Sequence, residues 1–431
     1  DLHSFPTRRS SDLSFYDGLW SSRFYTTRGA VGYEHHFKEQ GTLQVNAYVE
    51  SQVFNYMPER DANGNMIVPD KQHNSLIGVE ARLTPLTFNE FHIGGAVGYN
   101  TFYQKYIHAA PFNNEKPSEL QLWVKANALY DISNELHVGL DLHGNTASYS
   151  FDTFDTYNSL TFTPHFDITN KQVDLRVGMH LHANYGFQTK LRLAPDVRLR
   201  YHASSNIDLF AGATGGEVRN EFRHFAQMSP YWSYNNQQQM EHQFDIVRVN
   251  AGMDWCLGQG LYARLMAGYD VSKDRAELYE ATHLTTANGS LFYVNVGLDY
   301  QPSDVWGFDV KTQMNGWATK ADENIVGDVL AWRPILDIRA NAHYEVLRGL
   351  QLGADYMLQT FSHDDTHLYN RPVTNNLGAS ATYTLPLPDI TTGSKLSFYL
   401  RGDNLFNRHY DAYMGYRAQS ITFLAGVALT F

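Results

Sequence analysis

The chain has 431 residues, a net charge of −12 and one cysteine, Cys256. The negative charge argues against nucleic acid as a partner, because phosphate requires a basic surface. A single cysteine excludes an intrachain disulfide and any cysteine-based zinc site. Mean hydropathy is −0.40, and no apolar run approaches the roughly eighteen residues of a membrane helix. Composition alone therefore leaves two β-classes open, a soluble β-protein and a barrel in which only every second residue meets lipid.

The N-terminal residues 1–13 (DLHSFPTRRSSDL) carry neither alternation nor an apolar segment of signal-peptide length. The string resembles a translated sequencing adapter joined to a gene fragment. We therefore expect residues 1–13 to be a non-native leader and residues 14–431 to form the folded domain. Residues 14–24 are a weak candidate for its first strand.

Strict alternation of apolar and polar residues, typical of a strand with one apolar face, recurs along the rest of the chain. In 119–130, 173–184 and 336–346 every second residue is apolar, and the residues between them are mostly charged or polar or are glycine. These strands run about ten to fourteen residues, the length that a tilted strand needs to cross a bilayer. Strands of soluble proteins are usually about five or six residues long. The pattern favours membrane-spanning strands.

Connections of two lengths alternate between the strands. Short ones are predicted near 38–40, 85–89, 131–133, 169–170, 204–205, 257–259, 302–304, 346–348 and 386–394. Longer ones are predicted near 55–72, 104–116, 149–156, 214–240, 271–289, 317–328, 362–371 and 406–417. Short periplasmic turns and long external loops are typical of bacterial outer-membrane barrels. Backbone groups in lipid must all be paired, so such a sheet has to close. We predict an all-β fold, a large antiparallel transmembrane β-barrel of about 20 strands with both termini in the periplasm.

Aromatic residues on the apolar face recur a few residues before the short turns. They are Tyr130, Phe166, Tyr201, Trp255, Tyr300 and Tyr344. A ring of aromatics at the headgroup level is a feature of membrane barrels. A soluble barrel has no reason to place such a ring on its outer surface.

The C-terminal region carries a family resemblance. Residues 396–410 read LSFYLRGDNLFNRHY, which resembles the end of TonB-dependent receptors, where the penultimate strand runs into an Asn-Leu-Phe-Asn turn followed by a Tyr. The matching residues are Asn404, Leu405, Phe406, Asn407 and Tyr410. The last strand alternates to a terminal aromatic through Val427, Leu429 and Phe431, and is similar to the signal that the barrel-assembly machinery reads in this family.

The resemblance implies an outer-membrane receptor that imports a specific ligand, without a cofactor and without catalysis. The family barrel has about 22 strands, so about two would be missing here. The implied partners are outer-membrane lipid and lipopolysaccharide, the barrel-assembly machinery and a TonB-type energy transducer. The transducer acts through a plug domain, which nothing before residue 24 could form. Truncation and a naturally plugless relative both remain open.

Two other classes compete with the receptor. One is a plugless passive channel or porin, which is expected to have about 16 to 18 strands and an inward constriction loop. The other is an outer-membrane hydrolase, for which we find no GxSxG elbow and no convincing Ser–His spacing. The strand count and the turn motif favour the receptor over the porin. Histidines and aspartates on the polar face could still meet across strands, so the hydrolase stays open as the less favoured class.

The longest predicted loop, 214–240, is the candidate for ligand contact. Its candidate residues are Arg219, Arg223, Tyr231, Trp232 and Tyr234. Aromatics with nearby amides suit a polar ligand, and arginines suit an anion. A loop that only packs over the barrel mouth would have a similar composition, so packing is an equal alternative.

Nineteen histidines raise the question of a metal site. Those on strands, including His137, His143, His180 and His182, fall on the polar face, where we interpret them as a hydrated lining. A weak metal candidate lies in an outer loop, with imidazole and carboxylate ligands. It consists of His363, Asp364, Asp365 and His367.

Charge pairing on the polar face can also be predicted. The strands around 171–185 and 190–204 should form a hairpin through a tight turn near 186–189. Parity then places Asp174 opposite Arg198 or Arg200, an opposite-charge cross-strand pair.

Overall fold

A computed structural model describes residues 8–9, 13–15, 20–22, 24–37, 41–55, 59–60, 66–67, 71–105, 116–229, 232, 238–278, 284–320, 333–362, 371–387, 394–413 and 416–430. Over these residues the chain is almost entirely β-structure, with one short helix, α1 (Phe222–Met228). No helix in this described part is long and apolar enough to cross a membrane.

Nineteen long strands account for most of the described chain. They are β1 Phe24–Phe37, β2 Gly41–Asn55, β3 Lys71–Phe88, β4 Phe91–Lys105, β5 Ser118–Asp131, β6 Leu136–Tyr149, β7 Tyr157–Thr169, β8 Val173–Gly186, β9 Lys190–Ser204, β10 Ile207–Val218, β11 Gln243–Gly258, β12 Leu261–Leu278, β13 Leu284–Tyr300, β14 Trp306–Lys320, β15 Pro334–Leu347, β16 Leu350–Phe361, β17 Thr374–Pro386, β18 Lys395–Asp403 and β19 Thr422–Thr430. All belong to one antiparallel sheet. The number of long strands equals the count from the predicted turns, before the weak candidate at 14–24 is added.

The chain divides into two compact units. Unit 1 comprises residues 1–199, 212–248 and 272–287, and unit 2 comprises 200–211, 249–271 and 288–431. In unit 1, β1 to β8 pair antiparallel, each with the next in the chain. In unit 2, β13 to β19 do the same. Local hairpins therefore build each unit.

The N-terminal residues differ from the expectation at one point. Residues 14–24 were predicted to add a strand, but Leu13–Phe15 pairs with Trp20–Ser22 in a separate two-stranded sheet. Instead, Arg8–Arg9 pairs with Tyr25 and Thr26 of β1 as a two-residue addition to the large sheet. The prediction of a strand at 14–24 is wrong, because alternation over so few residues does not select a partner strand.

Apolar side chains are exposed on one face of the sheet and polar side chains are buried on the other, which is the opposite of the arrangement in a soluble protein. On β5, the apolar residues Leu120, Leu122 and Val124 are exposed, whereas the polar residues Glu119 and Gln121, which alternate with them, are buried. The same alternation of exposed apolar residues continues through both units. Monomeric soluble proteins rarely expose contiguous apolar surface of this extent. The apolar face is therefore suited to lipid and the polar face to an interior.

The aromatic positions before the short turns lie on this apolar face. Five of the six are more than a third exposed, namely Tyr130, Phe166, Tyr201, Trp255 and Tyr344, and Tyr300 is partly exposed. Exposed aromatics at one end of the strands suit the boundary between lipid and headgroups.

Glycine on the polar face allows close packing of large rings. The indole of Trp123 on β5 lies directly over Gly98 on β4, so that any Cβ at position 98 would overlap the ring. Tyr293 covers Gly268 in the same way in unit 2. The alternation of glycine with bulky polar residues thus has a packing reason.

Candidate functional site

Residues 219–242, which connect β10 to β11, form the covering segment, of which 219–229, 232 and 238–242 are described. The predicted loop was placed at 214–240, but β10 continues to Val218. After Glu221 the chain forms α1, which lies against β5 on the polar face of unit 1. The segment is thus packed on the sheet, and its apolar side chains form a buried cluster.

Aromatic rings hold the covering segment to the sheet. The ring of Phe222 lies 5.5 Å from Phe102 of β4 and 5.1 Å from Trp232, measured between ring centroids. Phe225 lies 5.2 Å from Trp232, and Trp232 itself is 0% exposed. Aromatic pairs at these separations contribute beyond the area they bury. Large buried rings make this the main hydrophobic core of unit 1.

A pair of buried carboxylates lies beneath α1. The side-chain amide of Gln121 donates to both Glu119 and Glu221, so the two acids share one donor. Arg219 lies 3.2 Å from Oε1 of Glu221, and the backbone N–H of Arg223 donates to Oε2 of Glu119 at 3.4 Å. Burial raises the pKa of the Glu221 carboxyl above its ordinary value, against the lowering effect of the Arg219 guanidinium.

A second polar anchor lies at the far end of the segment. The backbone N–H of Asn220 donates to Nδ1 of His242 at 2.7 Å, and the Asn220 amide donates to the carbonyl of Glu241 at 2.6 Å. Burial, together with Arg219 and Arg192, lowers the pKa of His242 to about 3. His242 is therefore neutral with an acceptor at Nδ1, and both ends of the segment are fixed to each other.

The candidate ligand residues of the sequence analysis fall in this segment. The Arg219 guanidinium contacts Glu221, Arg223 is held to Glu119 through its backbone N–H, and Trp232 lies in the aromatic cluster. Tyr231 and Tyr234 lie outside the described residues. Burial of Trp232 is what the packing alternative expects, so ligand contact by this residue stays a prediction that requires the segment to leave the sheet.

The Asn-Leu-Phe-Asn motif forms a turn after β18. Asn404 adopts a positive φ of 52° and Asn407 one of 50°, a conformation that asparagine tolerates. The Asn404 amide donates to the carbonyls of Arg408 and Gln419, at 3.0 and 2.7 Å, and its Oδ1 accepts from the Arg408 N–H at 3.0 Å. These contacts give Asn404 of the motif a structural role in closing the loop.

The remaining predicted residues are distributed as follows. Val427 and Leu429 are exposed on the apolar face of β19, while Phe431 lies outside the described residues. The weak metal candidate, His363 to His367, also lies outside them. Among the residues that the structure describes, no group of three or more His, Cys, Asp or Glu could hold a metal ion.

Unit 2 has an open cavity of 790 Å³ on its polar face. Its ion pairs join Arg200 to Asp208 at 3.0 Å and to Asp254 at 3.3 Å. Arg264 pairs with Asp254 at 2.5 Å, and Arg339 with Asp337 at 3.0 Å. The cavity is thus lined by balanced charges with no net preference for an anion or a cation.

Three buried carboxylates were not among the predicted site residues, namely Glu119, Glu221 and Asp196. Asp196 is buried and lies 2.9 Å from Arg176 and 3.0 Å from Arg198. Each is an acid on or next to the polar face, a signal that the alternation does contain. What alternation lacks is the information that a distant segment covers that face.

No family model and no curated protein matches the chain. Solved structures do match. The copper transporter OprC is 15% identical, with 97% of this chain and 74% of that chain covered and a TM-score of 0.67. The FrpB iron transporter from Neisseria meningitidis is 9% identical, with 97% and 75% covered and a TM-score of 0.71. The ferric preacinetobactin receptor BauA from Acinetobacter baumannii is 13% identical, with 95% and 72% covered and a TM-score of 0.68.

These neighbours are TonB-dependent receptors. The chain has the fold of their β-barrel, which confirms the predicted fold class. The neighbours are transporters and receptors rather than enzymes. In this fold the apolar face of the sheet meets lipid and the polar face lines the lumen.

Proposed function

We propose that the chain is the barrel of an outer-membrane receptor that imports a specific ligand, driven by a TonB-type transducer through a plug domain. The observation that carries the proposal is an exposed apolar face on a sheet whose fold agrees with copper, iron and siderophore receptors over nearly the whole chain. In this arrangement the short turns and both termini face the periplasm. The long loops face lipopolysaccharide, and the barrel-assembly machinery reads β19.

Ligand capture is proposed for the covering segment. Arg219 and Arg223 are its cations, and Tyr231 and Tyr234 supply rigid aromatic surface, which binds at low entropic cost. A ligand that engages Arg219 would compete with Glu221, whose carboxylate now contacts that guanidinium. Binding of the ligand would then be coupled to release of the covering segment from the lumen wall.

The same segment supports a second candidate, a plugless passive channel. A loop folded against the lumen wall is what a porin uses to narrow its pore, and the covering segment lies on the polar face in this way. In this alternative the segment restricts diffusion and selects solutes by size and charge. The strand number favours the receptor, since porins have about 16 to 18 strands.

Uptake in whole cells separates the two functions. A Gram-negative host that lacks its own iron receptors would produce the protein and be given radiolabelled ferric catecholates, ferric hydroxamates and copper. The receptor predicts saturable uptake of one probe that stops when an uncoupler collapses the proton gradient. Linear uptake of several probes, unaffected by the uncoupler, would establish the passive channel instead.

Two variants separate ligand contact from packing within the segment. Replacing Tyr231 and Tyr234 together with Ala should abolish binding of the imported probe while heat-modifiable mobility of the barrel is unchanged. Trp232→Ala should instead loosen the segment, because it removes a buried ring. Unchanged uptake in the double tyrosine variant would mean that the covering segment only packs on the sheet and does not contact the ligand through these residues.

A further inference from the structure

Two histidines lie side by side on the polar face of β8 in unit 1. His180 and His182 are two residues apart, and successive side chains alternate between faces of a strand, so both imidazoles point the same way. Their ring centroids are 5.8 Å apart with planes inclined by 45°. His182 is only 7% exposed.

A matched pair of threonines on β7 orients the two rings. Oγ1 of Thr163 lies 2.7 Å from Nδ1 of His180, and Oγ1 of Thr161 lies 2.8 Å from Nδ1 of His182. An outer hydrogen bond to one ring nitrogen fixes the tautomer and the orientation of the other. When each hydroxyl accepts from Nδ1–H, the Nε2 lone pairs are left to bind a ligand.

The Nε2 atom of His182 is buried and has no hydrogen-bond partner among the described residues. Unpaired buried polar atoms are rare in folded proteins and call for an explanation. Gly216 of β10, with a φ of +133°, faces this nitrogen, and a Cβ there would lie 3.1 Å from Nε2 of His182 and 3.9 Å from Cδ2 of His180. The absence of a side chain at Gly216 therefore keeps a space open over both imidazoles.

The ring separation fits a shared ion. With a metal–nitrogen bond of about 2.1 Å, an ion lies about 3.2 Å from each imidazole centroid, so two rings on one ion have centroids roughly 4.5 to 6.4 Å apart. The observed 5.8 Å falls in this range. Neutral imidazole is a preferred ligand of divalent copper, nickel and zinc.

We propose that His180 and His182 form a binding site for a divalent late transition-metal ion, with Nε2 of each ring as ligand. The pair supplies two ligands, and water or a donor group from an incoming complex completes the coordination. Such an incomplete site suits an ion in transit along the lumen wall rather than a structural metal. The site does not depend on the proposed import function, because binding is measured on the purified chain.

Titration of the full chain in detergent with CuCl₂, followed by electron paramagnetic resonance, tests the site. The wild-type chain should bind one equivalent of copper with a nitrogen-coordinated spectrum at this site. Each of the variants His180→Ala and His182→Ala should lack that equivalent. Thr161→Val keeps both imidazoles and should weaken that equivalent about tenfold, as loss of an outer hydrogen bond does in metal sites. The matched control is His137→Ala, because this histidine on the polar face of β6 has Gly139, and not a second imidazole, two residues along the strand.

Heat-modifiable mobility shows whether each variant forms the barrel, and Thr161→Val retains the test if a histidine variant fails to fold. Wild-type stoichiometry and spectrum in folded His180→Ala and His182→Ala protein would overturn the proposal. An equal loss of bound copper in His137→Ala would also overturn it, since the ion would then bind histidines at any position of the polar face. ZnCl₂ in competition should displace the copper signal from the wild-type site.

Discussion

The polar faces of the two units differ, although the same alternation builds both. In unit 1 the covering segment lies on the face and buries acids on both sides of the contact, Glu119 of the face and Glu221 of the segment. In unit 2 the face borders an open cavity of 790 Å³, and acids such as Asp254 remain partly exposed in their ion pairs. The strand pattern therefore decides which side chains point inward, and a distant segment decides how much each one contributes to stability.

The difference matters because the worth of a charge depends on its surroundings. An exposed ion pair contributes about 0 to 1 kcal/mol, whereas removing one partner of a buried pair costs about 3–5 kcal/mol. Matched substitutions in the two units should consequently have different effects on the polar face. On the apolar face, which is exposed in both units, they should have the same effect if that face meets lipid.

The largest expected effect is that of Trp232→Ala. Loss of this buried ring should cost about 3–5 kcal/mol, as Trp→Ala substitutions do in cores, and should release α1 from β5. Hydrogen exchange of the covering segment and limited proteolysis would measure the release. Trp255→Ala, at a position that is 41% exposed on the apolar face of unit 2, is the control and should leave the segment protected. Equal protection of the segment in both variants would show that it does not depend on the cluster.

Arginine on the apolar face should destabilise both units alike. Leu122 is 46% exposed and Phe292 is 52% exposed. Each lies eight residues before one of the aromatic residues that precede the short turns, Tyr130 and Tyr300 respectively. Leu122→Arg and Phe292→Arg should each cost about 2–4 kcal/mol in a phospholipid bilayer, measured by guanidinium unfolding. Lys311→Arg on the polar face is the control. A cost confined to one unit would mean that the other unit's apolar face is not in lipid.

Loss of a carboxylate should be costly in unit 1 and mild in unit 2. The Asp196 side chain is 1% exposed and contacts two arginines, while that of Asp254 is 24% exposed and also contacts two. Asp196→Ala should cost about 2–3 kcal/mol, which is less than for a fully buried pair because Arg198 is 64% exposed and water can solvate it. Asp254→Ala should cost about 1 kcal/mol or less. Equal unfolding midpoints for Asp196→Ala and Asp254→Ala would contradict the difference between the polar faces of the two units.

Acid should loosen the covering segment before the rest of unit 1. The pKa of His242 is lowered to about 3 from its ordinary 6.5, so the folded state binds fewer protons than the unfolded state between these values. Stability is therefore present above about pH 6.5 and falls as the pH drops toward 3, by at most about 1.4 kcal/mol per pH unit. Hydrogen exchange of the segment at pH 6.5 and 4.5 checks this. His242→Gln should flatten the pH response; an unchanged response would assign it to another group.

Strands and short turns could be predicted from the sequence because both are local. Alternation fixes the face of each residue within a strand, and the turn at Asn89–Glu90 connects β3 to β4 within two residues of the predicted position. The prediction of a strand at 14–24 was wrong because so short an alternating pattern is also compatible with a small hairpin.

The site could be predicted only in part. The segment containing Arg219, Arg223 and Trp232 was singled out by its composition, but its burial depends on contacts with Phe102 and Glu119, more than a hundred residues earlier. Such contacts leave no periodic signal in one sequence. The arginine pairing shows the same limit. Parity across one hairpin predicted that Asp174 pairs with Arg198 or Arg200, and this pairing stays a prediction. Asp196 was not predicted to pair, yet it contacts both Arg176 and Arg198.

We expect the apolar face of this sheet to meet lipid and the polar face to border an aqueous or packed interior. Spin labels at successive positions of β5, 119 to 126, in a Cys256→Ser background reconstituted in bilayers, measure this difference. We predict collisional access to oxygen at 120, 122, 124 and 126, and low access to oxygen at the positions that alternate with them. A water-soluble nickel reagent that reaches both sets equally, or a profile without period two, would contradict it.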